Sequence, residues 1–130
     1  MTRGLVGGVA RGEALMLEEP LSLWGGADPE TGRVIEPGHP QYGTDMAGRV
    51  LVMEHGRGSS SSSSVLAEML RRGVGPAAIV LSEPDTILVI GVLVASALYG
   101  SVCPIVVTSD LPGPGEWEVD GSAGRVTVAL

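Results

Sequence analysis

The chain reads as an α/β fold: a mixed sheet with β hairpins at both ends and two helices in the middle. Three observations give that class. Between residues 49 and 108, short unbroken apolar runs alternate with stretches of helical spacing, the order that parallel strands joined by helical crossovers produce. Ahead of that middle lie two short apolar runs, and behind it apolar and acidic residues alternate. With 130 residues, the chain makes one domain, 1–130, large enough for its own core.

The first two strands are expected over residues 5–10 and 13–17, with Arg11-Gly12 between them at hairpin-like spacing. A long polar, glycine-rich loop follows. Within it, Asp28-Pro29-Glu30-Thr31-Gly32 has the chemistry of a tight turn. Val50-Leu51-Val52-Met53 is a four-residue apolar run that suits a strand covered on both faces. The run Gly56-Arg57-Gly58-Ser59-Ser60-Ser61-Ser62-Ser63-Ser64 comes next. Its composition is that of a flexible linker, but its flanks are not. Val65, Leu66, Met69 and Leu70 form one apolar stripe at helical spacing. Arg71 and Arg72 suit the last turn of that helix, and Gly73 suits its stop.

A strand is expected over 77–81. No charge lies between Asp85 and Asp110, which superficially fits a membrane span of roughly 20 residues. Gly91, Ser96, Gly100, Ser101 and Pro104 interrupt it, and no Lys or Arg flanks it. A buried helix over 85–98 and a strand over 104–108 fit better. After Gly113-Pro114-Gly115, Trp117 and Val119 alternate with Glu116, Glu118 and Asp120, and alternation returns over 125–128, so a final hairpin is expected.

Composition excludes several functions. A net charge of -7 with eight Lys and Arg lacks the basic footprint that phosphate backbones demand, and four aromatics leave little for base stacking, so no nucleic-acid partner is expected. A single cysteine permits no disulfide framework and no thiolate cage, so no metal is assigned to this chain. The start of the chain has no apolar core of signal-peptide length, and a cytoplasmic location without membrane partner is expected.

The serine run is the candidate site. In a strand, glycine loop, helix arrangement, the first N–H groups of the helix point at whatever occupies the loop. Serines there cap those groups or present hydroxyls to a ligand. No Lys follows a Gly-x-x-x-x-Gly frame, so this is not a P-loop, and the third glycine of a dinucleotide fingerprint is missing. What remains is a pocket for an anion or small carboxylate, with an arginine and several hydroxyls.

Taken together, Leu23-Trp24-Gly25-Gly26-Ala27-Asp28-Pro29-Glu30-Thr31-Gly32, Gly38-His39-Pro40, Gly48-Arg49-Val50-Leu51-Val52 and His55-Gly56-Arg57-Gly58-Ser59-Ser60 resemble the swivel domain of aconitase X. Pro76-Ala77-Ala78-Ile79-Val80 and the apolar helix after it fit as well, so the resemblance spans nearly the whole chain. It implies a swivelling β/β/α domain acting as the small subunit of a two-chain iron–sulfur hydro-lyase, active only with a large aconitase X-type subunit that holds the cluster. It also implies that Ser59 is the base that removes a proton from carbon. Arg57, Gly58, Ser60, Ser61 and His55 are then the candidates for substrate contact. The long serine run looks more like the bacterial proteins that dehydrate cis-3-hydroxy-L-proline than like the archaeal phosphomevalonate dehydratases, whose small subunit is the alternative. A non-catalytic anion-binding module and a structural protein that has kept the fold are further alternatives.

Each candidate also has a plainer reading. Arg57 could be a surface arginine screening an acidic chain. His55 could bond to nearby backbone, and His39 could be a loop residue. Gly25 and Gly26 could serve close approach or simply a turn. Asp28 suits a turn better than catalysis. Ser62, Ser63 and Ser64 enter the helix, where local backbone bonding is expected, and Cys103 suits a packed core thiol. A serine base also needs help. A helix terminus stabilises an anion by at most about 2 kcal/mol, which lowers a hydroxyl pKa by only about 1.5. Arg57, loop N–H groups and water exclusion must add to it, and the departing hydroxide must be accepted by the partner.

Overall fold

The middle of the sheet is apolar on both faces because both faces are covered. The computed structural model describes residues 2–129. In it, β3 (Val50–Met53), β4 (Ala78–Leu81) and β5 (Ile105–Thr108) are buried at every position. They pair in parallel, with Val50 beside Ala78 and Ile79 beside Ile105. β2 (Val9–Met16) joins β3 in parallel, and β1 (Thr2–Val6) pairs antiparallel with β5. β6 (Glu116–Asp120) and β7 (Arg125–Val128) extend the sheet beyond β2 as an antiparallel hairpin. The seven-stranded order is β1-β5-β4-β3-β2-β6-β7.

Alternation along each central strand sorts the core into two layers. Leu51, Met53, Ile79, Leu81, Ile105 and Val107 face the helices α2 (Ser62–Arg71) and α3 (Thr86–Tyr99), where they meet Leu66, Met69, Leu88 and Val92. Their neighbours Val50, Val52, Ala78, Val80 and Val106 face the other way, against Trp117 and Val119 of β6. The sheet therefore curls until its last hairpin covers the face that the helices leave bare. Trp117, 1 % exposed, satisfies its indole N–H on the Gly113 carbonyl at 2.8 Å.

Both central helices and the last hairpin lie where the sequence predicts them. Gly73 (φ +75°) follows α2, and Gly100 (φ +69°) closes α3. The N-terminal hairpin is not there. β1 ends before Gly7-Gly8, β2 runs through Arg11-Gly12, and the two strands lie at different places in the sheet. Gly12 is no turn residue: a Cβ on it would come 2.5 Å from the Gly48 carbonyl oxygen. Arg11 instead reaches across the sheet to Glu118 on β6, at 3.0 Å.

The long loop after β2 covers part of the helix-side core with Leu21, Leu23, Ala27, Val34 and Met46. It contains a four-residue helical turn, α1 (Leu23–Gly26), that Gly25 (φ +80°) interrupts. Asp28 forms the expected turn, accepting the Glu30 N–H at 2.9 Å.

Candidate functional site

The crossovers through α2 and α3 leave the sheet at the C-terminal ends of β3 and β4, and in an open parallel arrangement those strand ends are where ligands collect. β3 ends at Met53, and the segment from Glu54 to Ser61 carries the chain into α2. Long-range contacts hold that segment and the first residue of α2. The Gly56 N–H donates to Asp85 Oδ2 at 3.0 Å, the Arg57 N–H donates to the Leu21 carbonyl at 3.2 Å, and Ser62 Oγ accepts the Trp24 N–H at 3.1 Å. The serine run is thus a fastened turn. Gly58 adopts φ +44°, a conformation that favours glycine.

Ser59 Oγ accepts the Ser61 N–H at 3.2 Å, and the Ser59 carbonyl accepts the Ser62 N–H at 3.0 Å. The hydroxyl therefore lies at the positive end of α2, against an N–H that has no partner inside the helix. Leu21, Leu23, Gly56, Arg57, Gly58, Ser59, Ser62, Asp85, Ile87 and Leu88 surround a hollow with about 10 Å³ of room for solvent, enough for about one water.

Of the residues named from sequence, Ser59, Gly58 and Arg57 meet at this hollow, whereas His55, Ser60 and Ser61 do not line it. His55 Nδ1 donates to the Gly56 carbonyl at 2.7 Å. Ser60 and Ser61 are exposed. Arg57 is held by two carboxylates of its own chain, Glu36 at 3.2 Å and Glu19 at 3.7 Å. Ser63 bonds locally to the Ser60 carbonyl, as expected, but Ser62 does not: it is buried and joins α2 to the long loop through Trp24. His39 is a structural histidine. It is 4 % exposed, accepts the Gln41 N–H on Nδ1 and donates from Nε2 to the Glu19 carbonyl.

Asp85 is the residue that sequence reasoning passes over. In the sequence it stands only as the last charge before an apolar stretch, although Asp ahead of such a stretch is an ordinary helix N-cap signal. Its Oδ1 accepts the N–H groups of Ile87 at 3.0 Å and Leu88 at 3.2 Å, capping α3, while Oδ2 takes Gly56.

The chain's residues do not suit an iron–sulfur cluster. Cys103 is 1 % exposed, and burial pushes its thiol up to about 12, far from the thiolate that a cluster requires. Among the described residues, no three His, Cys, Asp or Glu side chains come together as a metal site, and no helix is long and apolar enough to cross a membrane.

Comparison with known proteins agrees with this architecture. The chain is 48 % identical over 103 residues to the cis-3-hydroxy-L-proline dehydratase of Pseudomonas aeruginosa, matching 79 % of this chain but only 18 % of that one. It is 34 % identical over 126 residues to the phosphomevalonate dehydratase small subunit of Pyrococcus furiosus, matching 97 % of this chain and 92 % of that subunit. The crystal structure of Thermococcus kodakaraensis aconitase X in its holo-form superimposes with a TM-score of 0.86 at 33 % identity, covering 99 % of this chain and 96 % of that one. The family model of the aconitase X swivel domain matches residues 1–128. On the agreement of sequence and fold, the chain belongs to the aconitase X swivel domain family.

Proposed function

We propose that this chain is the small subunit of a two-chain dehydratase and supplies the base that removes a proton next to a carboxylate. The observation that carries the reading is Ser59 Oγ, held against the Ser61 N–H at the start of α2 and at the edge of the hollow. That N–H, and the helix behind it, make the alkoxide less costly to form, and Arg57 and exclusion of water add to them. The hollow takes about one water, so a hydroxy acid must lie between this surface and another. The relatives support that division, since one carries the domain as 18 % of a longer chain and another is named a small subunit. On its outer side α3 leaves Ile90, Leu93, Val94, Leu98 and Tyr99 each at least 41 % exposed, apolar surface of the kind a partner subunit covers.

In this reading the larger subunit holds the iron–sulfur cluster and accepts the departing hydroxide, in a cytoplasmic heterodimer. This chain's own work is narrower. Ser59, as its alkoxide, takes the proton from carbon and ends the step as the neutral hydroxyl. Arg57 exchanges Glu19, the longer of its two ion pairs, for the substrate carboxylate. The Gly58 and Ser60 backbone, the Ser61 hydroxyl and His55 Nε2 are the remaining groups near enough in sequence to complete the contact. The substrate is cis-3-hydroxy-L-proline, in line with the match to the Pseudomonas enzyme. Mevalonate 5-phosphate is the second reading, favoured by the near full-length match to the Pyrococcus small subunit.

The test is co-expression with the larger subunit and assay of both acids. Dehydration of cis-3-hydroxy-L-proline by the complex and by neither chain alone is the expected result, with Ser59→Ala assembling normally but losing at least about a thousandfold in kcat. Turnover of mevalonate 5-phosphate instead would move the substrate to the second reading. A Ser59→Ala complex with substantial activity would remove the base assignment.

A further inference from the structure

We infer that Asp85 is a positioning residue for Ser59, fixing the serine loop to the N-terminus of α3; this rests on the reading of Ser59 as the base. One carboxylate serves two elements that meet only in the folded chain. Oδ1 takes Ile87 and Leu88, the second and third N–H groups of α3, which have no partner inside the helix. Oδ2 takes the Gly56 N–H, three residues before Ser59. The approach is close, since a Cβ on Gly56 would lie 2.6 Å from Oδ2 and 3.6 Å from Leu88 Cδ1. Glycine at 56 is what lets the loop reach the carboxylate. Asp85, Gly56 and Ser59 share the walls of one hollow, so a shift at the tether is felt at the hydroxyl.

A capping role alone makes a different demand. Asn caps helices about as well as Asp, so if Asp85 did nothing but cap α3, Asp85→Asn would be silent. The tether needs two acceptor oxygens, and an amide has one oxygen and one NH2 group. With the amide oxygen on the α3 cap, the NH2 group that Asp85→Asn introduces would face the Gly56 N–H, donor against donor. The substitution therefore separates the two roles.

The experiment pairs amide hydrogen exchange on this chain, which needs no substrate, with kinetics of the two-chain complex. In Asp85→Asn, the Gly56 amide should exchange at least tenfold faster while Ile87 and Leu88 keep their protection. In the complex, kcat should fall by about tenfold to a hundredfold with KM within about twofold, the mark of a displaced reacting group and not of lost binding. Gly56→Ala keeps the carboxylate but drives it away, and should reproduce both effects, which keeps the proposal testable even where Asp85→Asn folds poorly. Unchanged Gly56 protection, or lost protection with full kcat, overturns the proposal. An active Ser59→Ala complex would overturn it from the other side, and the exchange data tell that failure from the failure of the tether.

Discussion

Ser59 Oγ is already an acceptor in the resting chain, since the Ser61 N–H points at it. A hydroxyl so placed is polarised toward losing its proton, but the roughly 2 kcal/mol that a helix terminus supplies leaves most of the work to Arg57 and to exclusion of water. Arg57 is for now occupied by Glu36 and Glu19. Cys103 is the opposite case, a group kept neutral by its surroundings. Burial holds its thiol up to about 12 against an ordinary 9.0. Below pH 9 the thiol is neutral whether the chain is folded or not, and it contributes no pH dependence. Above pH 9 the unfolded chain loses a proton that the folded chain keeps until about pH 12, so stability falls across that window by about 1.4 kcal/mol per pH unit. Urea unfolding should show the wild type losing about 2 kcal/mol relative to Cys103→Ala between about pH 9 and about pH 10.5. A constant gap would mean that the thiol titrates while folded.

At the scale of elements, α2 and α3 meet where neither has room. A Cβ on Gly91 would lie 2.8 Å from the Ser63 carbonyl oxygen and 3.2 Å from Leu66 Cβ, so α3 presses its bare backbone against the first turn of α2. Gly91→Val should cost about 1–3 kcal/mol through overpacking, more than the few tenths that better helix propensity returns. Calorimetry should record a melting temperature lower by roughly 4–10 °C; an unchanged value would show that the helices part freely. Because Ser63 belongs to the serine run, the same change should disturb the loop. These helices are legible in the sequence because their signals are local: the stripe of Leu66 and Met69, the arginines and Gly73 after it, and the apolar stretch after Asp85. The buried strands are legible for the same reason. The N-terminal hairpin misleads because Arg11-Gly12 has turn chemistry locally, whereas Gly12 answers to Gly48 and Arg11 to Glu118, partners that no short window contains. The site divides likewise. Ser59 stands out from its neighbours in sequence, but Asp85 acquires its second role only when Gly56 is folded against it.

In the whole molecule, the curled sheet brings its first strand against its last turn. A Cβ on Gly4 would lie 1.7 Å from the Gly121 carbonyl oxygen, one on Gly121 would lie 1.8 Å from the Val6 oxygen, and one on Gly124 would lie 2.8 Å from the Gly4 nitrogen. The obstacles are backbone atoms, which cannot rotate aside. Gly4→Ala and Gly121→Ala should each cost at least about 2 kcal/mol, and the double variant should cost less than their sum, because the first methyl already opens the contact that the second would strain. Strict additivity in chemical denaturation would show that the two glycines do not share one contact. The first strand and the last turn stand more than a hundred positions apart in the chain, yet neither can acquire a side chain unless the other withdraws. The pair is a clasp between the two ends of the sheet, closed only while both positions stay without a side chain.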